Sequence, residues 1–377
     1  MQKPAPDIQP AQSISPRVRR PPPPQFERKV AQLKPVKRAL RMRLLGRATL
    51  GVSVASNGRT LLQLRGYGGL LRTFRQRRGR RLPRKHFVSS HFAPDTRHVV
   101  LADERRTLRV LRVPSARLVM TIRNATMPRW IDRHTLGFRR GCRAMTQTIG
   151  RRQKRVRTLG RVPAPCTEVL HTSPDFTRWI IADPSGTRRG VLQEYKRVRI
   201  VDVTSGTNDI LISTTELGGV LLPQVSPDGK RVCFARPNFK LYCRHAGKTQ
   251  LIWKSVRRPL RFDASGNRLL FANTAKNHRR ARIVVVDFEA KTATITPRAA
   301  REWWKFLPGG NRIVGHGGNS SAVIYDLDQN WQADVGNPNS EWEGLWTIPG
   351  DANRFAIGRE RRGTRDVYLV TLRRRRR

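Results

Sequence analysis

Short apolar runs alternate with turn-forming residues along most of the chain, and the segment Leu221–Ile252 shows this pattern most clearly. Its turn, Pro227-Asp228-Gly229, combines a residue that presets φ, one that hydrogen-bonds its own backbone and one that accepts positive φ. The apolar runs around this turn and the next are LLPQV, RVCFA, KLYC and QLI. The pattern therefore predicts a meander of four antiparallel strands within these 32 residues.

The same turn-and-strand pattern recurs along the chain at intervals of 37 to 53 residues. The first large apolar residues after the eight turns are Leu61, Val99, Leu136, Trp179, Val232, Leu269, Ile313 and Phe355. A four-stranded unit that repeats about every 40 residues is typical of a β-propeller. We therefore predict an all-β fold with a single β-propeller of eight four-stranded blades, and the alternative is seven blades.

The segment SPDGKRVCFA, followed by KLYCRHAGK, resembles the repeats of TolB-like and WD-repeat-like propellers. The resemblance extends over about residues 47 to 372 and is weakest in the third unit. The Gly-His and Trp-Asp dipeptides of the standard WD repeat are absent, so the TolB-like repeat is the nearer likeness. The resemblance implies a fold and not one function, because such propellers serve many functions.

The two ends of the repeat region suggest how the array is completed. The last unit ends with its third strand, Asp366 to Leu372, while Leu40 to Leu44 alternates apolar and basic residues as a half-buried strand does. We predict that this N-terminal strand pairs with the last unit and closes the ring. The alternative is a basic helix from Phe26 to Leu45, which Pro35 would interrupt. The predicted regions are a disordered, basic, Pro-rich arm at 1–38, the propeller at 39–372 and a basic tail at 373–377.

Charge is the most unusual property of the composition. The chain has 76 Lys and Arg against 26 Asp and Glu, a formal net charge of +50. Residues 47–163 hold 29 basic and 4 acidic residues, whereas residues 164–377 hold 36 and 20. A GC-rich genome could favour arginine over lysine, but it would not produce the excess of basic over acidic residues. The asymmetry therefore predicts an anionic partner that engages one side of the molecule.

The two longest basic runs, RTFRQRRGRRLPRK and RRQKRVRTLGR, connect the predicted third and fourth strands of the first and third units. Loops at the same place in each unit emerge on the same face of a propeller. We therefore predict a rim that binds phosphates, and the alternative is a set of solvated loops. The candidate residues are Arg72, Arg75, Arg77, Arg78, Arg80, Arg81, Arg84, Lys85, Arg151, Arg152, Lys154, Arg155, Arg157, Arg188 and Arg189.

These patterns predict a non-enzymatic protein that binds nucleic acid, either RNA in a ribonucleoprotein or the DNA backbone. Aromatic residues interleave poorly with the basic runs, which favours recognition of backbone or shape over recognition of bases. A scaffold for an acidic protein partner is the alternative, and an enzyme of the propeller hydrolase kind is a third hypothesis. No catalytic arrangement, cofactor site or metal site can be nominated. We expect a cytoplasmic protein without a transmembrane segment, with organellar targeting as a minor alternative.

Three further sets of residues are assigned structural roles. Cys142, Cys166, Cys233 and Cys243 lack metal-site spacing, and we expect Cys233 and Cys243 to be reduced core residues, although adjacent strands could bring them together. The tryptophans at 303, 304, 342 and 346 are expected to fill the core, with a pocket at the central channel as the alternative. Asp202, Asp287 and Asp326 recur near the ends of third strands and are expected to accept hydrogen bonds from the following turns.

Overall fold

The computed structural model is built from β-strands and turns. It describes residues 26–35, 40–48, 51–57, 60–64, 69–73, 80–82, 85–150, 156–163, 168–189, 192–213, 219–273, 281–299, 304–316, 322–335, 342–348, 350–361 and 364–372. Within these ranges no helix occurs, and 34 strands follow one another. After three N-terminal strands, the others group along the sequence into successive sets, which we call units 1 to 8.

The first half of the chain contains the N-terminal strands and units 1 to 4. The N-terminal strands are β1 (Glu27–Val30), β2 (Lys34–Pro35) and β3 (Leu40–Ala48). Unit 1 contains β4 (Gly51–Val54), β5 (Thr60–Leu64), β6 (Gly69–Thr73) and β7 (Arg80–Arg81). Unit 2 contains β8 (Phe87–Phe92), β9 (His98–Asp103), β10 (Leu108–Arg112) and β11 (Leu118–Ile122). Unit 3 contains β12 (Thr126–Trp130), β13 (Thr135–Arg140), β14 (Arg143–Thr148) and β15 (Val156–Arg161). Unit 4 contains β16 (Val169–Thr172), β17 (Arg178–Arg189), β18 (Leu192–Asp202) and β19 (Asn208–Ser213).

The second half of the chain contains units 5 to 8. Unit 5 contains β20 (Val220–Val225), β21 (Arg231–Ala235), β22 (Leu241–His245) and β23 (Lys248–Trp253). Unit 6 contains β24 (Arg257–Phe262), β25 (Arg268–Asn273), β26 (Arg282–Asp287) and β27 (Thr292–Ala299). Unit 7 contains β28 (Lys305–Phe306), β29 (Arg312–His316), β30 (Ala322–Asp326) and β31 (Trp331–Val335). Unit 8 contains β32 (Trp342–Thr347), β33 (Arg354–Arg361) and β34 (Thr364–Leu372).

The turn that opens unit 5 shows why the repeated sequence folds as it does. The Gly229 amide donates to the Ser226 carbonyl at 2.8 Å, and Gly229 adopts a φ of 75° that other residues rarely accept. The Asp228 carboxylate accepts the amide of Lys230 at 3.1 Å. The turn therefore satisfies its own polar groups and returns the chain antiparallel, as the sequence predicted.

Each unit forms an antiparallel sheet in sequence order, and the strands make seven sheets in all. One sheet has eight strands because β18 pairs with β20, through Glu194 with Leu221 and Tyr195 with Val220, which joins units 4 and 5. Neighbouring units meet through their first strands, since β4 contacts β8 and β32, β8 contacts β12, and β24 contacts β20 and β28. These first strands therefore lie innermost in the array.

The N-terminal strand β3 supplies the fourth strand of unit 8. It pairs antiparallel with β34 from Leu40 opposite Leu372 to Ala48 opposite Arg365. This is the pairing that the alternation of apolar and basic residues predicted, and the helical alternative is wrong because the edge of β34 provides partners for the backbone of β3. The closure of a complete ring stays a prediction.

The predicted disordered arm at 1–38 extends too far. β1 adds parallel to β27 and β2 adds parallel to β31, so this segment lies along the outer edges of units 6 and 7. Apolar side chains hold it there: Phe26 contacts Phe288 edge-on at 6.1 Å, and Ala31 and Leu33 are buried. The rest of the predicted arm, at 1–25 and 36–38, and the predicted tail at 373–377 lie outside the described residues.

The expectation of reduced cysteines is wrong. Cys233 and Cys243 lie directly opposite each other on β21 and β22 and form a disulfide, and Cys142 is disulfide-bonded as well. The hairpin brings the two sulfur atoms together inside unit 5, where both residues are buried. Structural disulfides are rare in reducing compartments, so this pair argues against the cytoplasmic location expected from the sequence. The location itself stays a prediction.

Two of the three described tryptophans at the start of units 7 and 8 fill the core, as expected. Trp304 and Trp342 are buried, and Trp304 stacks on Tyr325 with 5.4 Å between ring centroids. The Trp304 indole N–H donates to the His316 carbonyl at 3.0 Å. Trp346 is only half-buried, and residue 303 lies outside the described part of the chain.

Candidate functional site

The predicted site residues fall partly within the described structure. Arg80 and Arg81 form β7, Lys85 follows it, Arg157 lies on β15, and Arg188 lies near the end of β17. All of these except the half-buried Lys85 are exposed. The backbones of Arg72 and Arg189 lie in β6 and β17. The remaining candidates lie outside the described residues, and these are Arg75, Arg77, Arg78, Arg84, Arg151, Arg152, Lys154 and Arg155.

The topology places the connection between strands one and two of a unit on the same edge as the connection between strands three and four. Backbone hydrogen bonds show this directly: the Val113 amide donates to Arg97 O and the Ile149 amide donates to His134 O, both at 2.7 Å. We call this edge the turn face. The residues of β7 and β15 flank turn-face connections, whereas Arg188 lies in the hairpin between strands two and three. The candidates therefore do not all project together, because Arg188 lies at the opposite edge.

Sequence reasoning missed several exposed arginines on the turn face. Arg112 and Arg117 flank the last hairpin of unit 2, between those of units 1 and 3, and their backbones are hydrogen-bonded at 2.8 Å. Arg97 and Arg133 lie in the opening turns of units 2 and 3 and are also exposed. The sequence RVPSAR carried the signal, since it occupies the same place in its unit as the longer basic runs, but only two of its residues are basic.

The carboxylates beside these arginines are engaged in their own turns. Asp95 accepts the Arg97 amide at 2.9 Å, and Asp132 accepts the amides of His134 and Thr135 at 2.6 and 2.7 Å. Burial acts to raise the pKa of Asp132, but the hydrogen bonds from His134 and Thr135 outweigh burial and lower it. Neither carboxylate forms a salt bridge with an arginine side chain among the described residues.

The opposite edge of the same units is also basic, so the described positive charge is not confined to the predicted rim, which stays a prediction. Its exposed side chains include Arg105, Arg106, Arg123, Arg140 and Arg143. We call the exposed basic residues of units 1 to 3, on both edges, the basic sector. Within the described part of these units, the side-chain ion pairs are His86 with Glu104, and Arg109 with Asp103 at 3.9 Å. The unpaired positive charge therefore gathers in units 1 to 3, and within these units it lies on both edges of the sheets.

Several arginines of units 4 to 8 are instead paired with carboxylates. Described pairs are Arg178–Asp202, Arg197–Asp183, Arg199–Asp183, Arg268–Asp287, Arg268–Asp328, Arg312–Asp326 and Arg354–Asp351. The expected role of the recurring aspartates is confirmed, because Asp202, Asp287 and Asp326 accept the turn amides of Thr204, Ala290 and Gln329 at 2.9 Å each. Each of these three carboxylates therefore accepts a hydrogen bond from a turn amide and also forms a salt bridge with an arginine.

Chemistry of other kinds finds little support in the described residues. No group of three or more His, Cys, Asp and Glu side chains there is placed to hold a metal ion. The described part of the chain also contains no helix that is long and apolar enough to cross a membrane.

Comparisons with known proteins identify the fold. No protein-family model matches the chain, and no curated protein matches its sequence. The C-terminal WD40 domain of Sif2 superposes with a TM-score of 0.57 at 10% identity, over 91% of this chain and 99% of that one. The WD40 domain of SCAP from fission yeast gives 0.54 at 13% identity, over 89% and 95%. Saccharomyces cerevisiae Sqt1 gives 0.53 at 10% identity, over 91% and 99%.

WD40 repeats form β-propellers, so these similarities and the all-β topology confirm the predicted propeller class and the resemblance to WD-repeat-like units. The finer preference for the TolB-like repeat stays a prediction. At such low identity the likeness establishes the fold alone.

Proposed function

We propose that this chain is a non-enzymatic β-propeller that binds nucleic acid through its basic sector, by contacts to the phosphate backbone. The observation that carries the proposal is the contrast in arginine pairing along the chain. Exposed arginines of units 1 to 3, such as Arg80, Arg112 and Arg157, form no salt bridge with a described carboxylate, whereas units 4 to 8 contain seven described pairs between an arginine and a carboxylate. Unpaired guanidinium groups clustered on one sector attract phosphates and release counterions when they bind them.

An acidic protein partner is the second candidate, and a surface feature favours it. Leu118, Val119 and Val156 are exposed on β11 and β15, the outer strands of units 2 and 3. Exposed apolar side chains next in sequence to the exposed Arg117 and Arg157 suit an acidic amphipathic segment of another protein, which would pair charges and bury apolar side chains together. With such a partner the chain would be an interaction scaffold.

The experiment is a salt titration of binding to short duplex DNA and single-stranded RNA, followed by fluorescence anisotropy. Wild type should bind at low salt and weaken log-linearly as salt rises. The variant Arg80→Gln/Arg81→Gln/Arg112→Gln/Arg117→Gln should bind duplex DNA with a salt slope shallower by about 0.9 for each phosphate that it no longer neutralises.

The matched control removes four exposed cationic side chains from units 5 and 6, as Lys248→Gln/Lys254→Gln/Arg282→Gln/Lys291→Gln. It should keep nearly the wild-type affinity and slope. Equal weakening in both variants would reduce the proposal to a non-specific effect of net charge. Absence of binding at low salt, together with capture of polyglutamate, would favour the acidic protein partner.

We infer further that the four-stranded units number eight and that β3 closes the ring. Supporting observations are the pairing of β3 with β34 and the packing of Val54 of unit 1 in one cluster with Ile348 and Ala356 of unit 8. Seven would be the count if the eight-stranded sheet of units 4 and 5 acted as one blade. Class averages from electron microscopy, viewed along the axis, should show eight lobes.

A further inference from the structure

We propose that the first strands of units 4 to 6 form a binding site for a small phosphate-bearing molecule, held between His171, Gln224 and Arg261. This site lies among the innermost strands and is distinct from the basic sector. The inference does not depend on the proposed function, because its residues and the residues of the basic sector do not overlap.

The site rests on a position that is equivalent in all eight units. In each unit one residue near the end of the first strand lies opposite the same place on the second strand, so all eight side chains lie on the same side of their sheets. These residues are Ser53, His91, Arg129, His171, Gln224, Arg261, Lys305 and Trp346. Five are basic and none is acidic, and every one is half-buried or exposed, so solvent reaches the whole layer.

Neighbouring members of this layer lie close to one another. Arg129 of unit 3 donates to the Thr172 carbonyl of unit 4 at 2.5 Å. Burial, and after it the charge of Arg129, lowers the pKa of both His91 and His171, which places this guanidinium beside both imidazoles. Burial, and then the charge of Arg261, lowers the pKa of Lys305 to about 8. Successive units therefore bring basic groups together.

A cavity of about 230 Å³ lies beside the members of this layer that belong to units 4, 5 and 6. His171, Gln224 and Arg261 line it together with Pro223, Pro227 and Phe262. One guanidinium, one amide and one imidazole from three consecutive units thus line a space with apolar walls. The Gln224 amide nitrogen donates one hydrogen bond to the Pro223 carbonyl at 2.8 Å, which leaves its second N–H to donate to a ligand. Few polar groups aimed into a partly apolar cavity are the usual composition of a small-molecule site.

The charges around this cavity call for an anion. Arg129, Arg261 and Lys305 form no salt bridge with any carboxylate of the described residues, although the charge of Asp175 acts to raise the pKa of Arg129 against the effect of burial. The lowered pKa of His91 and His171 leaves both imidazoles neutral near pH 7, where they can still donate a hydrogen bond. Burial alone lowers the pKa of Arg261, and no described acidic group counteracts it. Partly desolvated cations without directly paired counter-charges raise the local potential, and an oxyanion that accepts from a planar guanidinium and neighbouring donors relieves that cost.

The adjoining cavity of about 410 Å³ shows by contrast where the anion belongs. His171 lines this one too, but the other lining groups include Asp175, Asp202 and Asp228. These carboxylates are hydrogen-bonded within their turns and repel phosphate. The phosphate group is therefore assigned to the Arg261 side of His171, and the limited volume there favours a small molecule over a nucleic-acid strand.

The test is isothermal titration calorimetry of the full chain with inorganic pyrophosphate as the probe, at a salt concentration near 0.15 M, where long-range attraction is screened. Wild type should bind at one site. Arg261→Gln should bind at least about tenfold more weakly, since a hydrogen bond from a charged donor is lost. Arg157→Gln, which removes an exposed arginine of the basic sector, should leave pyrophosphate binding unchanged.

A second variant guards against loss of folding in Arg261→Gln. Gln224→Leu keeps the net charge and roughly the volume of the side chain but removes the hydrogen bond to the Pro223 carbonyl, so its melting temperature should fall only slightly while pyrophosphate binding weakens several-fold. Absence of binding by wild type would overturn the site, as would equal affinity in wild type, Arg261→Gln and Gln224→Leu.

Competition identifies the source of the phosphate. Displacement of pyrophosphate by ADP at lower concentration than by phosphate would point to an organic phosphate, and the reverse order would point to an inorganic one. Both results support the site. Displacement by an eight-nucleotide strand at still lower concentration than by either would overturn the small-molecule assignment in favour of a threaded nucleic acid.

Discussion

Units 1 to 3 and units 4 to 8 use the same structural position differently. The residue that begins the second strand, just before its first large apolar residue, is arginine in every one of the later units and in none of the earlier ones. The later residues are Arg178, Arg231, Arg268, Arg312 and Arg354, and the earlier ones are Thr60, His98 and Thr135. A single position thus separates the chain into two regions.

The residue that lies opposite this position on the third strand also differs between the two regions. Arg178, Arg268 and Arg312 lie opposite Asp202, Asp287 and Asp326. In the earlier units, Thr60 lies opposite Thr73, Thr135 opposite Thr148, and His98 opposite Arg112. Three of the five later arginines therefore face an aspartate, while Arg231 faces His245 and Arg354 faces Thr371, and no described residue at this position in the earlier units faces an aspartate.

The later arginines also link neighbouring units. Arg231 donates to Gly266 O at 3.0 Å, Arg268 to Gly310 O at 3.3 Å and Arg312 to Ala352 O at 3.3 Å, and each acceptor lies in the opening turn of the next unit. Arg231 also stacks over the Phe288 ring of unit 6 at 4.0 Å. The number of arginines therefore does not equal the charge available to a partner, because the arginines that begin the second strands of the later units hydrogen-bond or form salt bridges within the fold.

The largest expected effect tests the matched pair of unit 7. Asp326 is fully buried and lies 2.7 Å from the Arg312 guanidinium, so Asp326→Asn leaves a largely buried arginine without its counter-charge. We expect a loss of about 3 kcal/mol in the free energy of unfolding, measured by urea denaturation. Asn retains an acceptor for the turn amide, so the change isolates the charge.

The control is Asp95→Asn in the corresponding turn region of unit 2. There the carboxylate accepts a backbone amide but forms no salt bridge with a described arginine. We expect Asp95→Asn to lower the free energy of unfolding by less than about 1 kcal/mol. Equal losses in the two variants would show that the turn, and not the arginine, gives the aspartate its importance.

An intermediate effect is expected in acid. Burial acts to raise the pKa of Asp287, but hydrogen bonds from Ala290 and Arg268 lower it below its ordinary value. The carboxylate of Asp287 has a lower pKa in the folded chain than in the unfolded chain, where the pKa is near 4. The stability that this difference adds is fully present above the unfolded-state pKa and is lost as the pH falls through the folded-state pKa. Asp287→Asn should therefore flatten the fall in melting temperature below pH 4.

A comparison with unit 3 sharpens this test. The pKa of Asp132 is lowered by turn amides without an arginine partner, so Asp132→Asn should also flatten the acid response. Arg268→Gln should reproduce part of the flattening seen for Asp287→Asn. If Arg268→Gln leaves the wild-type pH profile intact, the paired arginine contributes nothing to the acid sensitivity of the later units.

The smallest effect comes from moving the pair into unit 2. His98→Arg with Arg112→Asp places an arginine opposite an aspartate, as in units 6 and 7. A double-mutant cycle should give a favourable coupling of about 0.5 kcal/mol, since the site is partly exposed. A coupling of zero or of the opposite sign would mean that the early units lack the surroundings that make the pair useful.

Local sequence predicted much of the fold because the turns are self-sufficient. Pro227-Asp228-Gly229 specifies its own conformation, and the alternation of Leu40 to Leu44 specifies a strand with one apolar side. The extra strand Glu27–Val30 escaped prediction, because its burial pattern shows four exposed side chains and its place depends on an edge that unit 6 provides. The disulfide escaped for a related reason, since only the register of β21 on β22 sets Cys233 against Cys243.

The candidate site was predicted less well. Runs of arginine identified the sector of the chain that carries the excess charge, but Arg188 proved to lie on the opposite edge from Arg80 and Arg157. Arg112 and Arg117 were missed because they lie five positions apart in sequence, and only the hairpin brings their backbones within 2.8 Å.

By itself, the sequence determined the repeat, the turns and the uneven distribution of charge, because each of these depends on residues near one another along the chain. Only the tertiary structure decided which arginines are paired and which basic groups meet around one cavity. His171, Gln224 and Arg261 are separated by 53 and 37 residues. They come together because every unit returns its first strand to the same innermost place, and no local pattern of residues encodes that proximity.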